Sequence, residues 1–337
     1  MPGGGEIFPI YLANELKKLG VAVTFIDFRK GNYDEGVRKK LQPNIPLIEL
    51  NYSQYLPDLI SSFGIDIMHT HEGTTDYTVA QYIINNKQQN CKHVITLHGM
   101  YEAIEKNDLD ELLKAVIPSC SCFVYIANKN LIPIKKYLKD ICIKQIGNGL
   151  PVLPISPCSK NDMGIKEDAF CITLASRGII EKGWIEAVNA IKLANKKSSK
   201  EIHLILIGEG ECYNILKKED LPPYIHLLGK KNNVRDYFAM SDMGLLPSRF
   251  EGESFPLVII ECLHSGTPVI ASNIGEIQNM LTDKNGEMAG VLFNLENKQI
   301  PIEKLSDIIL DLSADINKYQ QLKRHVHEVA QKFNITD

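Results

Sequence analysis

At 337 residues the chain can hold two domains of ~150 residues each. Apolar residues make up 44% and charged residues 23%, the proportions of an ordinary soluble globular protein, and no apolar run reaches the ~18–20 residues of a membrane span. The formal net charge is −4, and basic and acidic residues balance over the first 150 positions, so no basic half argues for nucleic acid.

In chain order, Met1-Pro2-Gly3-Gly4-Gly5 does not read as a signal peptide. The following stretch, 6–19, has helical spacing in Ile7, Ile10, Leu12, Leu16 and Leu19 and is stopped by Gly20. Val21–Phe28 reads as a buried strand. Further short apolar runs predict strands over 65–68, 94–97, 123–126 and 141–146, with helices over 77–86, 109–116 and 131–138 between them. A stretch over 151–163 carrying Pro151, Pro154 and Pro157 reads as a linker. The alternation then restarts, with strands over 170–175, 202–207, 225–228, 243–246 and 268–271. Helices are predicted over 183–196, 212–218, 234–240, 257–264, 304–312 and 316–333. Alternating strands and helices predict two doubly wound α/β domains, 1–150 and 164–337, facing across a cleft into which the carboxyl ends of the strands point.

Eight cysteines, at 91, 120, 122, 142, 158, 171, 212 and 262, lie mostly in apolar runs. They read as reduced core residues, and Cys120-Ser121-Cys122 lacks CxxC spacing.

The richest segment runs from Ser248 to Ser272: a polar loop with Glu253, an apolar helix with Glu261, then Gly266-Thr267-Pro268-Val269 leading into a strand. It resembles the E-x7-E motif of retaining glycosyltransferases of the GT-B fold, family 4 (glycosyl transferases group 1). Weaker matches occur in the family's order. Pro2-Gly3-Gly4-Gly5-Glu6 is similar to its glycine-rich loop, and Thr96-Leu97-His98-Gly99 to its TxHG segment. Ser176 to Gly183 is similar to its GR…KG segment, and Ile207-Gly208-Glu209-Gly210 to its G-x-G loop. Asn148-Gly149 matches the turn before the linker. Relatives have a strand before the glycine loop and a crossover helix after Phe333-Asn334, neither of which stands in this sequence. An N-terminal sheet without that strand is expected to have unpaired edges and low stability.

The resemblance implies two Rossmann-like domains, the first on the acceptor side and the second binding a nucleotide-sugar donor. It also implies a role for each matched residue. Arg177 and Lys182 would hold the diphosphate, Arg by its fork and Lys as a point charge. Surface cations are the bland alternative. The helix starting near Phe255 would offer its N-terminus to phosphate, with Pro256 in its first turn. Ser254 and Pro256 replace glycines common in relatives. Glu261 would take the ribose hydroxyls and Glu253 the donor-sugar hydroxyls, with Glu251 as a rival. Gly4, Gly5, Gly208, Glu209, Ser254, Phe255 and Leu257 complete the donor contacts. His98 would face the transferred sugar, with His69 and His71 as competitors. His69-Thr70-His71 could bind metal, yet no third ligand is evident. Asp108-Leu109-Asp110 reads as a helix start rather than a metal motif.

The expected activity is retaining, metal-independent sugar transfer to a hydroxyl acceptor in polysaccharide or glycoconjugate synthesis, with no cofactor and no nucleic-acid partner. The expected location is the cytoplasm. A lipid-linked acceptor would bring Arg38-Lys39-Lys40 or Lys135-Lys136 to an anionic membrane face; solvated helix faces are the alternative. Two other readings remain: a non-hydrolysing nucleotide-sugar epimerase of the same fold, and a silent nucleotide-binding fragment. Base, sugar, acceptor and oligomeric state are not written in the residues.

Overall fold

The computed structural model describes residues 4–28, 35–85, 90–99, 101–138 and 141–336. The chain up to Asn148 forms one unit and Gly149–Ile335 a second.

The first unit comprises helix α1 (Gly4–Lys18), strand β1 (Phe25–Asp27), α2 (Glu35–Arg38), β2 (Leu47–Glu49), α3 (Leu56–Phe63), β3 (Ile67–Thr70) and α4 (Gly73–Asn85). It continues with β4 (Lys92–Leu97), α5 (Lys106–Val116), β5 (Cys120–Tyr125) and β6 (Cys142–Gln145). Strands β3-β4-β5-β6 make a parallel sheet in that order, and β1-β2 a separate parallel pair. Ile95, Leu113, Val116, Phe123 and Ile134 fill one core, while Ile26, Leu56, Ile60, Met68 and Val79 meet in another. Arg38 ties the β1-β2 pair together, donating to Asp27 Oδ2 at 2.9 Å and pairing with Glu49.

Several expectations for this unit need correction. Gly4 and Gly5 open α1 and are not a loop; Pro2, Gly3 and Asn86 lie outside the described residues. Val21 is exposed, and the strand shrinks to Phe25–Asp27. Leu19 also points to solvent. The stretch 131–138 is two 3₁₀ turns, Asn128–Leu131 and Lys135–Tyr137. Pro133 lies between them and cannot donate within a helix. Helices α2 and α3 and strand β2 went unpredicted. Strand β2, Leu47-Ile48-Glu49, has three residues, none of them buried, and is too short to show a period.

The second unit holds β7 (Phe170–Ala175), α6 (Trp184–Asn195), β8 (Ile202–Ile207), α7 (Glu211–Leu216), β9 (Ile225–Gly229), α8 (Val234–Met240) and β10 (Met243–Leu246). It closes with α9 (Leu257–His264), β11 (Val269–Ser272), α10 (Ile277–Leu281), β12 (Gly290–Phe293), α11 (Ile302–Ala314) and α12 (Ile316–Gln331). The sheet is fully parallel, in the order β12-β11-β10-β7-β8-β9. Every residue of β7, β8, β10 and β11 is buried, as expected for strands covered by helices on both faces. Only α10 and β12 escaped prediction here. The chain runs outward from β7 to β9, then returns to β10 on the other side of β7. That reversal creates a switch-point crevice beyond the carboxyl ends of β7 and β10.

Residues 151–160 form no regular element but lie against α8. The Ser156 N–H donates to Asp236 Oδ1 at 2.9 Å, and the Cys158 N–H to the Asp236 carbonyl at 3.2 Å.

Candidate functional site: a charged crevice at the switch point

Four loops meet beyond the carboxyl ends of the second sheet. The loop after β7 carries Arg177 and, in the 3₁₀ turn Ile180–Lys182, Lys182. The loop after β8 carries Gly208-Glu209-Gly210, that after β10 carries Glu253 and Ser254, and that after β11 carries Gly275 and Glu276.

The first two loops interlock through backbone. The Gly178 N–H donates to the Glu209 carbonyl at 2.8 Å, and the Cys212 N–H to the Gly178 carbonyl at 2.7 Å. Gly208 sits at φ +141°, and a Cβ there would stand 1.9 Å from the Ser176 carbonyl oxygen. The Trp184 indole N–H donates to Ser176 Oγ at 2.8 Å, fixing the same loop from α6. We expect Gly208→Ala to destabilise the second unit by about 2–4 kcal/mol, through positive-φ strain and backbone overlap. Urea unfolding followed by Trp184 fluorescence measures it; an unchanged midpoint would contradict this role of the glycine.

The other two loops are joined likewise. The Glu276 N–H donates to the Ser254 carbonyl at 2.9 Å. Gly275, at φ +58°, packs so closely that a Cβ would lie 2.6 Å from the Glu253 carbonyl oxygen.

Lys182 and Glu253 meet between these loops. Lys182 Nζ donates to Glu253 Oε2, and both side chains are nearly buried, with 9% and 10% exposure. Phe250 roofs the cations, its ring centroid 5.0 Å from Lys182 Nζ and 5.5 Å from Arg177 Cζ. Such contacts favour a cation over an aromatic face. Arg249 is held separately by Glu186. Glu251, the rival acid, is a surface residue paired with Lys298 at 3.3 Å.

Two details differ from expectation. Pro256 is the N-cap of α9, at φ −68° and ψ 117°, and the helix proper begins at Leu257. Phe255 packs edge-on against Phe333 at 5.9 Å, so its ring serves the unit's own packing. Glu261 lies one turn into α9, half-exposed.

In the first unit, His98 follows β4 and His71 follows the adjacent β3. Neighbouring parallel strands bring them together, His71 Nδ1 lying 3.1 Å from His98 Nε2. Phe8 of α1 packs on both rings, at 6.2 Å from His71 and 5.6 Å from His98. A Cβ at Gly5 would make ordinary contact with His98 at 3.8 Å, so space alone does not demand glycine there. Burial holds His98 down to about 4, and burial with the neighbouring rings holds His71 well below its usual range. Two neutral imidazoles share one proton in this contact, one donating and the other accepting. His69 turns instead to Thr96 Oγ1 at 2.7 Å.

Behind them runs a buried polar chain. Ser119 Oγ donates to the Val116 carbonyl at 2.8 Å, so it accepts from His93 Nδ1–H at 3.0 Å. His93 Nε2 then accepts from Thr70 Oγ1 at 2.8 Å. Next to Thr70, Asp76 accepts from the Tyr101 hydroxyl at 2.9 Å, and burial pushes its carboxyl up to about 7 against those hydrogen bonds.

Among the described residues no three of His, Cys, Asp and Glu are grouped to hold a metal ion. Asp108 lies in the first turn of α5, and Asp110 accepts from Tyr137 and Lys136. The proposed membrane clusters are partly self-neutralised: Arg38 pairs with Asp27 and Glu49, and Lys136 with Asp110. No helix among the described residues is long and apolar enough to cross a membrane.

Sequence reading missed Phe250 and the loop of Gly275 and Glu276, and it treated His71 as a competitor of His98 rather than its partner. The signal for that pair is two histidines at the ends of successive parallel strands.

Comparison with known proteins decides the class. Residues 171–315 match the family described as Glycosyl transferases group 1, and residues 2–140 that described as Glycosyltransferase Family 4. The chain belongs to the GT-B glycosyltransferases. This glycosyltransferase is 28% identical, over 72% of its length and 67% of the relative's, to an Escherichia coli UDP-Gal:alpha-D-GlcNAc-diphosphoundecaprenol alpha-1,3-galactosyltransferase. It is 23% identical, over 83% and 78%, to a Bacillus anthracis N-acetyl-alpha-D-glucosaminyl L-malate synthase. Its fold matches that of Anabaena Alr3699/HepE, solved in complex with UDP. The TM-score is 0.80, with 18% identity over 99% of this glycosyltransferase and 93% of that chain.

Proposed function

We propose that this glycosyltransferase moves a sugar from a nucleoside-diphosphate sugar to a hydroxyl acceptor with retention at the anomeric carbon, in the synthesis of a surface polysaccharide or glycoconjugate. The observation that carries the reading is the nearly buried Lys182–Glu253 pair beside Arg177, at the switch point of the second sheet. Positive charge held there is placed to stabilise a departing diphosphate without a metal ion. When the anomeric carbon–phosphate oxygen bond breaks, Arg177 and Lys182 neutralise the charge growing on the diphosphate. The acceptor oxygen bonds to the anomeric carbon from the same face, and its proton passes to the leaving phosphate oxygen. Glu253, once Lys182 turns to phosphate, accepts from hydroxyls of the donor sugar. Glu261 accepts from the vicinal ribose hydroxyls, and Gly208-Glu209 and Ser254 to Leu257 line the nucleotide. In the first unit His98, neutral and hydrogen-bonded to His71, meets the sugar, with the start of α1 at Gly4 and Gly5 beside it. The alpha-linked product named for the E. coli relative supports retention, and its diphosphoundecaprenol acceptor supports a lipid-linked one met at the cytoplasmic membrane face.

The test is a panel of nucleotide sugars screened by thermal shift, followed by transfer assays. Arg177→Ala and Glu261→Ala are each expected to abolish transfer with an unchanged unfolding transition; full activity in either overturns the assignment. Interconversion of sugar isomers without acceptor would replace transfer with epimerisation.

A further inference from the structure

Cys122 in β5 and Cys142 in β6 stand directly opposite each other in the register of the first unit's sheet. The Cys122 thiol donates to Cys142 Sγ with the sulfurs 3.1 Å apart. Both thiols are free, and Cys142 is exposed on the edge strand. Paired strands lie ~4.8 Å apart, within the ~4.4–6.8 Å separation of Cα atoms that a disulfide spans. Elsewhere, Cys91, Cys171, Cys212 and Cys262 are buried. Cys120 stands two positions before Cys122 on the same strand, opposite His93. No third group completes a metal site among the described residues.

We propose that Cys122 and Cys142 are a site of reversible oxidative modification, closing to a disulfide that staples the edge strand β6 to β5. The oxidant class is a low-molecular-weight disulfide. Cys142, as thiolate, attacks a sulfur of glutathione disulfide and releases one glutathione. Cys122 then loses its proton to solvent and displaces the second glutathione, leaving the Cys122–Cys142 bond. The two thiols together give up two protons and two electrons, and one glutathione disulfide becomes two glutathione molecules. Burial pushes the Cys122 thiol up to about 11, which makes exposed Cys142 the entry point and closure the slower step.

The folded full chain is incubated with glutathione disulfide, unfolded in iodoacetamide, and read by intact mass and peptide mapping. Two fewer alkylated thiols are expected, with one cross-linked peptide pair containing Cys122 and Cys142, and dithiothreitol restores both thiols. Cys142→Ser is expected to retain full alkylation at Cys122 and to form no cross-link. Full alkylation of the oxidised wild type overturns the proposal. A stable glutathione adduct confined to Cys142, or a cross-link through Cys120, overturns it equally. The wild-type measurement decides the matter whether or not the variant folds.

Discussion

Lys182→Ala is expected to lower kcat/KM for sugar transfer by about 10²–10³-fold, the cost of removing one preorganised charge from a site where negative charge develops. Lys182 is nearly buried against Glu253 beneath Phe250. Its ammonium is therefore held at the crevice beside Glu253 and has only to turn from that carboxylate to the phosphate. The same substitution leaves the Glu253 carboxylate nearly buried without its cation, at a stability cost of about 3–5 kcal/mol. The two losses are separable. Glu253→Gln removes the carboxylate charge while Lys182 remains to meet the phosphate, so it should lose donor-sugar discrimination more than nucleotide affinity. In the double variant Lys182→Ala with Glu253→Gln, most of the lost stability should return because no buried charge is left alone, while transfer stays defective. Steady-state kinetics and urea unfolding on the same preparations give both readings. If the double variant regained activity along with stability, the pair would be a structural ion pair and the proposed phosphate role would fall.

How much of this arrangement the residues disclose depends on the length of chain separating the partners. Strands such as Phe170–Ala175 and Ile202–Ile207 are buried on both faces, so each is a continuous apolar run whose ends could be read to the residue. In the first unit β1 and β2 have three residues each and are only partly buried, which leaves no period to detect. Helix signals failed where proline intervened, as at Pro133. Within the site, Glu253 and Glu261 are neighbours in sequence, and their motif is legible as spacing. Lys182 and Glu253 are 71 residues apart, and their contact follows only once β7 and β10 are known to be adjacent. His71 and His98 meet for the same reason through β3 and β4. Buried positive charge at a crevice is thus a property of topology, which a single sequence does not spell out.

Acidification should unfold the first unit steeply below neutrality, because its histidines are held neutral. Burial keeps His69, His93 and His98 at about 4 and His71 well below its usual range, against about 6.5 in an unfolded chain. For a base whose folded pKa is depressed, the native contribution is complete above pH ~6.5 and is lost as pH falls toward ~4, since the unfolded chain binds the proton first. Each such histidine then changes stability by about 1.4 kcal/mol per pH unit across that window. Asp76 acts in the opposite sense. Its carboxyl is pushed up to about 7, so the folded form holds a proton that the unfolded form releases near pH ~4, and acidification over that range stabilises it. Four histidines against one carboxyl leave a net loss of about 4 kcal/mol per pH unit at most. The Ser119–His93–Thr70 hydrogen bonds supply a structural reason for the size of the effect: protonating His93 Nε2 would place a donor against the Thr70 hydroxyl and cost the network its order. Asp76→Asn removes the opposing group, and the acid loss should become steeper. The only tryptophan, Trp184, reports the second unit, so amide hydrogen exchange in β3 and β4 is the suitable probe, taken from pH 7 to pH 5 with correction for intrinsic rates. Protection that stays level across pH 6.5 to 5, or an Asp76→Asn profile shallower than wild type, would show that these histidines are not the groups that hold the fold at neutral pH.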